Sequence, residues 1–178
     1  MSKQWMTGLC LELPASPLTG RILALREKYD AVRVRRPIEI TLVGSSGLGW
    51  FDSGHSAAQL QTALTAALAT ESAPRVSFTA VRHFDGTGLY WLEPSCPEQY
   101  RRLQLVIGNC GLGFLPTEFP FTPHCTIVNL APQAGADAVA DVRSLQYDDA
   151  VSVVACASVH AIDAAGAAHR LFTVPFSC

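Results

Sequence analysis

His124 and Thr126 stand two residues apart in the run from Phe119 to Val128, directly after Pro123. On a strand, side chains alternate, so these two would share one face while Cys125 and Ile127 take the other. An imidazole titrates near neutral pH and can move a proton. A hydroxyl beside it can hold a phosphoryl oxygen. The same pattern occurs earlier, in Arg36-Pro37-Ile38-Glu39-Ile40-Thr41-Leu42-Val43, with Glu39 where the histidine would be. A carboxylic acid can also donate a proton if its surroundings disfavour the charged form. Keeping it protonated at neutral pH takes roughly 3 to 4 kcal/mol of differential interaction.

Other residues could join this chemistry. His83 alternates with Thr79 and Val81 and is a candidate to line the cleft in place of the missing imidazole. Tyr90 and Trp91 are neighbours, so only one of them can face a ligand and stack on it; the other packs in the core. His160 and His169 read as half-exposed structural residues on a closing hairpin, and His55 as a surface turn residue. Cys125 reads as a core thiol. Competing catalytic patterns fail: Gly44-Ser-Ser-Gly-Leu lacks the last glycine of a nucleophile elbow, no P-loop is present, and Pro116 breaks a dinucleotide fingerprint begun at Gly111.

Periodicity and punctuation supply the elements that must position these groups. Trp5 to Leu13 reads as a strand, and Ser16-Pro17 opens a helix with the stripe Leu18, Ile22, Leu25 and Tyr29. Val34 to Val43 is the first motif strand, followed by a glycine-rich loop. Ser56 and Gln59 form a capping box for a helix carrying Leu60, Leu64 and Leu68. Arg75 to Phe84 and Thr87 to Glu93 flank an Asp85-Gly86 hairpin turn. Ser95 and Glu98 bracket a second capping box before the stripe Tyr100, Leu103 and Ile107. A Gly- and Pro-rich loop leads to the second motif. A short helix over Asp137 to Leu145 then precedes strands Val151 to Ile162 and His169 to Phe176, turning at Gly166.

At 178 residues and 49% hydrophobic, the chain fits a single domain, residues 1–178, of two pseudo-equivalent lobes. A formal net charge of −2 argues against a large nucleic-acid footprint and for a small ligand. Arg33, Arg35 and Arg36, or Arg101 and Arg102, could attract an anionic one. The six cysteines (Cys10, Cys96, Cys110, Cys125, Cys156 and Cys178) show no close Cys or His spacing. Neither a disulfide framework nor a metal site is expected, and the thiols should be reduced and mostly buried. No apolar run is long enough to span a membrane and no signal-peptide order is present, so a cytoplasmic monomer is expected.

The paired Pro-anchored motifs and the order of elements around them resemble the two-histidine phosphoesterase superfamily, the LigT or 2'-5' RNA ligase-like proteins. Their signature is two His-x-Thr/Ser motifs on strands. The resemblance covers nearly the whole chain, and Glu39 departs from it. It implies an α+β, two-lobed LigT-like fold of two pseudo-symmetric antiparallel sheets with flanking helices and a central cleft. It further implies an enzyme that hydrolyses a small phosphodiester such as a 2',3'-cyclic nucleotide, without metal or other cofactor. His124 would be the general base, Glu39 the general acid or its degenerate replacement, and Thr41 and Thr126 the phosphate ligands. His83, Trp91 and Tyr90 would be further substrate contacts. The alternatives are a repurposed enzyme using a Glu/His pair on a non-phosphate small molecule, and a non-catalytic binding module.

Overall fold

A computed structural model of the chain describes residues 5–147 and 151–177. Nine strands and four helices follow in the order β1 (Met6–Glu12), α1 (Pro17–Tyr29), β2 (Glu39–Val43), α2 (Ala57–Leu68), β3 (Arg75–Val76), β4 (Phe78–His83), β5 (Leu89–Pro94), α3 (Pro97–Gly108), β6 (Cys125–Asn129), α4 (Ala136–Arg143), β7 (Ser152–Val153), β8 (Cys156–Ile162) and β9 (Ala168–Pro175). The mixed helix and antiparallel-sheet architecture expected from the sequence is the one observed. The two halves, β4-β5-β6 and β2-β1-β8-β9, join edge to edge into one seven-stranded sheet, and β3 and β7 form a separate pair.

The join is narrow. Between β2 and β6 the register contains one pair, Ile40 with Cys125, both fully buried. Antiparallel pairing about that point sets Glu39 across from Thr126 and Thr41 across from His124, all on the face opposite Ile40 and Cys125. The helices cover the apolar face, and they cross between halves. Helix α1 packs against β6, whereas α3 packs against β2 and α2 against β9. The core they close includes Leu9, Leu11, Ile40, Leu42, Leu92, Ile127 and Val159. Among the described residues no helix is long and apolar enough to cross a membrane.

Local chemistry sets the element ends. Ser16 caps α1 through a box with Thr19, and Ser56 caps α2 through the expected box with Gln59. The expected Ser95/Glu98 box does not form: Cys96 is the N-cap, without a side-chain bond, because the Ser95 hydroxyl pairs with Ser77 at 3.0 Å. The first motif strand is shorter than the expected 34–43, since Arg33–Arg35 turns as a 3-10 helix and Pro37 has no N–H to give a ladder. The expected strands 75–84 and 151–162 each divide in two, and their first parts pair with each other as β3 and β7. Gly86 turns the β4–β5 hairpin at φ +74°.

One buried charge ties this frame together. Arg26 lies one turn beyond Ile22 on the apolar stripe of α1 and is 2% exposed. Its guanidinium donates to the carbonyls of Arg33, Arg36 and Pro37 before β2 (3.0–3.1 Å), and to those of Thr126 (2.7 Å) and Ile127 (3.0 Å) in β6. Arg26→Met keeps the stem but strands these carbonyls without a donor. Denaturant unfolding should show a loss of about 3 kcal/mol or more, because each buried orphan acceptor costs about 1 to 3 kcal/mol. A loss below about 1 kcal/mol would show that the tie is not needed.

Candidate functional site

The polar face of the central strands opens into a cleft of about 310 Å³. Glu39, Thr41, His124 and Thr126 all line it, as the alternation of both motifs requires. The imidazole of His124 is fixed by its own chain: Nδ1 lies 2.7 Å from the Thr122 carbonyl. A carbonyl only accepts, so Nδ1 carries the hydrogen, and Nε2 of the neutral ring holds the lone pair. Phe84 and Trp91 meet this ring edge-on, with centroids 5.3 and 5.7 Å away, and stack on each other at 5.1 Å. Burial among them pushes the His124 pKa below its ordinary value, which favours the neutral ring.

The other motif is set differently. Glu39 is half-buried, and desolvation raises its pKa from the ordinary carboxylate range. Hydrogen bonds from the Cys10 thiol and the Thr41 hydroxyl, the latter at 3.3 Å, oppose that rise without cancelling it. The register places Glu12 of β1 directly across from Glu39 and Cys10 across from Thr41. Positive charge comes from Arg26, Arg33 and Arg36, which also line the cleft. Arg33 pairs with Asp30 at 3.2 Å, and Arg36 donates to the Gly166 carbonyl at 2.6 Å. The Arg101 and Arg102 cluster lies elsewhere; Arg102 pairs with Glu71.

Two expected ligand contacts fall on the wrong side. His83 and Tyr90 are cross-strand partners with ring centroids 4.9 Å apart, and together they line a separate depression with Arg143 and Tyr147. A register shift between Tyr90 and Trp91 sets the facing: Trp91 pairs with Thr126, while Tyr90 joins the core. Trp91 therefore backs the His124 ring and Tyr90 does not reach the cleft. His83 lies 2.6 Å from the Thr87 carbonyl and does not line the motif cleft.

Three cleft residues escaped the sequence reading. His160, expected to be half-exposed, is buried and lines the cleft, with Nε2 2.9 Å from Glu12. Its signal is the polar pair Ser158 and His160 alternating with Ala157, Val159 and Ala161, the same period as the two motifs. Trp50 forms an aromatic wall over Gly8, where an added Cβ would meet its ring at 3.0 Å and the Val43 carbonyl at 2.5 Å. Nothing local marks Trp50, because it lies in a loop held by pairing with residues 113–115. Arg26 is the third. Of the cysteines, Cys10 and Cys125 are buried, Cys110 and Cys156 partly so, and Cys96 is exposed; the thiols are unpaired, and Cys178 lies outside the described residues. Burial pushes the Cys125 thiol up to about 12, so it is a core group.

Comparison with known proteins places this arrangement in context. The family model of the 2'-5' RNA ligase superfamily matches residues 14–163. Among solved structures, E. coli LigT complexed with 3'-AMP superposes with a TM-score of 0.63 at 17% identity, covering 98% of this chain and 99% of that one. LigT in apo form gives 0.60 at 18%, covering 99% and 100%, and a structure described as a phosphoesterase gives 0.61 at 17%, covering 98% and 99%. These likenesses show the fold. No curated protein matches the sequence.

The raised carboxyl makes a signed prediction. A group whose folded pKa exceeds its unfolded one contributes stability that is full below the unfolded value, about 4.3, and lost as pH rises through the folded value. Glu39→Gln removes that loss. In buffer free of divalent ions, its melting temperature relative to wild type should therefore be higher at pH 8 than at pH 5. An equal difference at both pH values would mean that Glu39 is not desolvated.

Proposed function

We propose that this chain, which belongs to the 2'-5' RNA ligase superfamily, hydrolyses a small phosphodiester of the 2',3'-cyclic nucleotide class. The observation that carries this reading is the pairing of the two motifs across the β2–β6 join. It faces a carboxyl, an imidazole with a free Nε2 lone pair and two threonine hydroxyls into one cleft. In this reading, Nε2 of His124 takes a proton from the attacking water, whose oxygen forms the new bond to phosphorus. The protonated Glu39 gives its proton to the ester oxygen that leaves. Thr41 and Thr126 hold the non-bridging oxygens, and Arg33 and Arg36 offset their charge. Trp50 supplies a flat apolar surface of the kind a nucleobase stacks on. The net charge of −2 favours a small substrate over a long nucleic acid.

The departure at Glu39 favours one competing reading: an ionised carboxylate, with Glu12 opposite, would repel phosphate and suit a neutral or cationic compound. One set of variants separates the two. His124→Ala should lower kcat/KM on 2',3'-cyclic nucleotides by about 10² to 10⁴-fold, the usual worth of positioned acid–base catalysis, while the fold stays intact. Glu39→His should raise that activity, because it restores a second imidazole and removes a negative charge beside the phosphate. If Glu39→His gains nothing on cyclic nucleotides and abolishes turnover of a non-phosphate compound, the competing reading holds. The threonines give an independent check by calorimetry with a nucleoside monophosphate: Thr41→Val and Thr126→Val should each weaken binding by about 1 to 2 kcal/mol. Unchanged binding in both would remove the anion site from this position.

A further inference from the structure

We propose that Cys10, Glu12 and His160 form a binding site for a borderline-soft divalent cation, with zinc the best match, in the wall of the cleft. One ligand atom from each residue falls within 4.8 Å of the other two, and Cys10 and His160 are buried while Glu12 is half-buried. The three come from adjacent strands: β1 carries Cys10 and Glu12, and β8 carries His160, whose register partner is Gly8. Gly8 has no side chain, and the Trp50 ring packs over it as one wall of the cleft.

Two further observations bear on a cation at this place. His160 is 7% exposed, and its Nδ1 has no hydrogen-bond partner among the described residues, although Nε2 is engaged by Glu12. Nε2 is thus the ring atom that faces Glu12, and a cation that takes its lone pair leaves the ring hydrogen on Nδ1. The second observation is electrostatic. Glu12 and Glu39 are direct cross-strand neighbours, so the Glu12 carboxylate faces a second carboxyl and not a counter-charge. Among the described residues the only arginine or lysine paired with Glu12 is Arg170, which reaches it at 3.5 Å from a largely exposed position. A divalent ion here would supply the counter-charge that Glu12 otherwise draws only from the exposed Arg170.

The donor set selects the ion. Thiolate, imidazole and carboxylate together suit zinc, whereas calcium and magnesium take oxygen ligands. The Nε2 to Glu12 oxygen distance of 2.9 Å needs to open by only a few tenths of an ångström to match two zinc-bound atoms with bonds of about 2.0–2.1 Å. As the metal–sulfur bond forms, the Cys10 thiol gives its proton to solvent, so binding releases one proton per ion. Three protein ligands leave the fourth tetrahedral position for water or for an oxygen of a cleft ligand.

The test does not depend on turnover or on the phosphodiester reading. Chelator-treated protein is titrated with Co²⁺ and followed by absorption, and the bound Co²⁺ is then displaced by Zn²⁺. One equivalent should produce the intense visible bands of a four-coordinate site and a near-ultraviolet thiolate-to-cobalt band. Cys10→Ser should abolish the near-ultraviolet band, and a variant with serine at 96, 110, 156 and 178 should keep it. His160→Gln should weaken binding by at least about 100-fold, since even outer-shell partners are worth about 10 to 100-fold. Circular dichroism checks the fold. If Cys10→Ser fails to fold, Glu12→Gln, at a half-exposed position, serves instead and should weaken binding similarly. No band in wild type, a band that survives Cys10→Ser, or equal affinity in His160→Gln or Glu12→Gln would overturn the proposal.

Discussion

A single buried guanidinium holds the two sequence motifs in one frame. The strands that carry them share one register pair, Ile40 with Cys125, too little ladder to fix their relative position. Arg26 compensates from behind the sheet, donating to three carbonyls on the approach to β2 and two in β6. An isolated buried charge would be prohibitively costly. Here five carbonyl dipoles surround it, and the planar fork matches donors that a lysine could not supply. Asp30, one turn further along α1, adds a second tie: its carboxylate accepts from the backbone N–H of Arg33 at 3.1 Å and of Asn129 at 2.7 Å. One helix end thus sets the spacing of Glu39, Thr41, His124 and Thr126, and it lends positive potential to the floor of the cleft.

The two sides of the cleft are alike in backbone and unlike in chemistry. Around His124 the surroundings are aromatic, and among the described residues its one side-chain hydrogen bond fixes the tautomer. Around Glu39 they are polar, with Cys10, Glu12 and His160 within one connected group. The first side lowers the pKa of the imidazole and the second raises that of the carboxyl, so the environments shift the two groups in opposite directions. The same asymmetry explains how a carboxyl can stand where a histidine would otherwise be expected. The strands around it supply thiol and hydroxyl donors, and an imidazole that pairs with the facing Glu12.

What the sequence made legible was the part governed by short periods. Alternation over a few residues assigned Glu39, Thr41, His124 and Thr126 to one face, and Ser56 with Gln59 or Tyr100 with Ile107 marked helices correctly. Long-range geometry was not legible. Tyr90 and Trp91 could not be told apart from sequence: a one-residue register shift against β6 sets Trp91 beside the His124 ring and turns Tyr90, with its partner His83, to the other side. Arg26 was passed over because a charge on an apolar stripe looks like an interruption, although its position one turn after Ile22 was the available clue. The cluster of Cys10, Glu12 and His160 left no spacing signature, since its members meet only through strand pairing between the start and end of the chain.

The most direct test of the account is a crystal structure of the protein soaked with a nucleoside 2'-monophosphate, the product-like form of a cyclic substrate. The phosphoryl group is predicted between the Thr41 and Thr126 hydroxyls, with His124 Nε2 against one oxygen and the base along Trp50. A nucleotide bound in the depression of His83 and Tyr90, or against Arg101 and Arg102, with the motif cleft holding none, would contradict it.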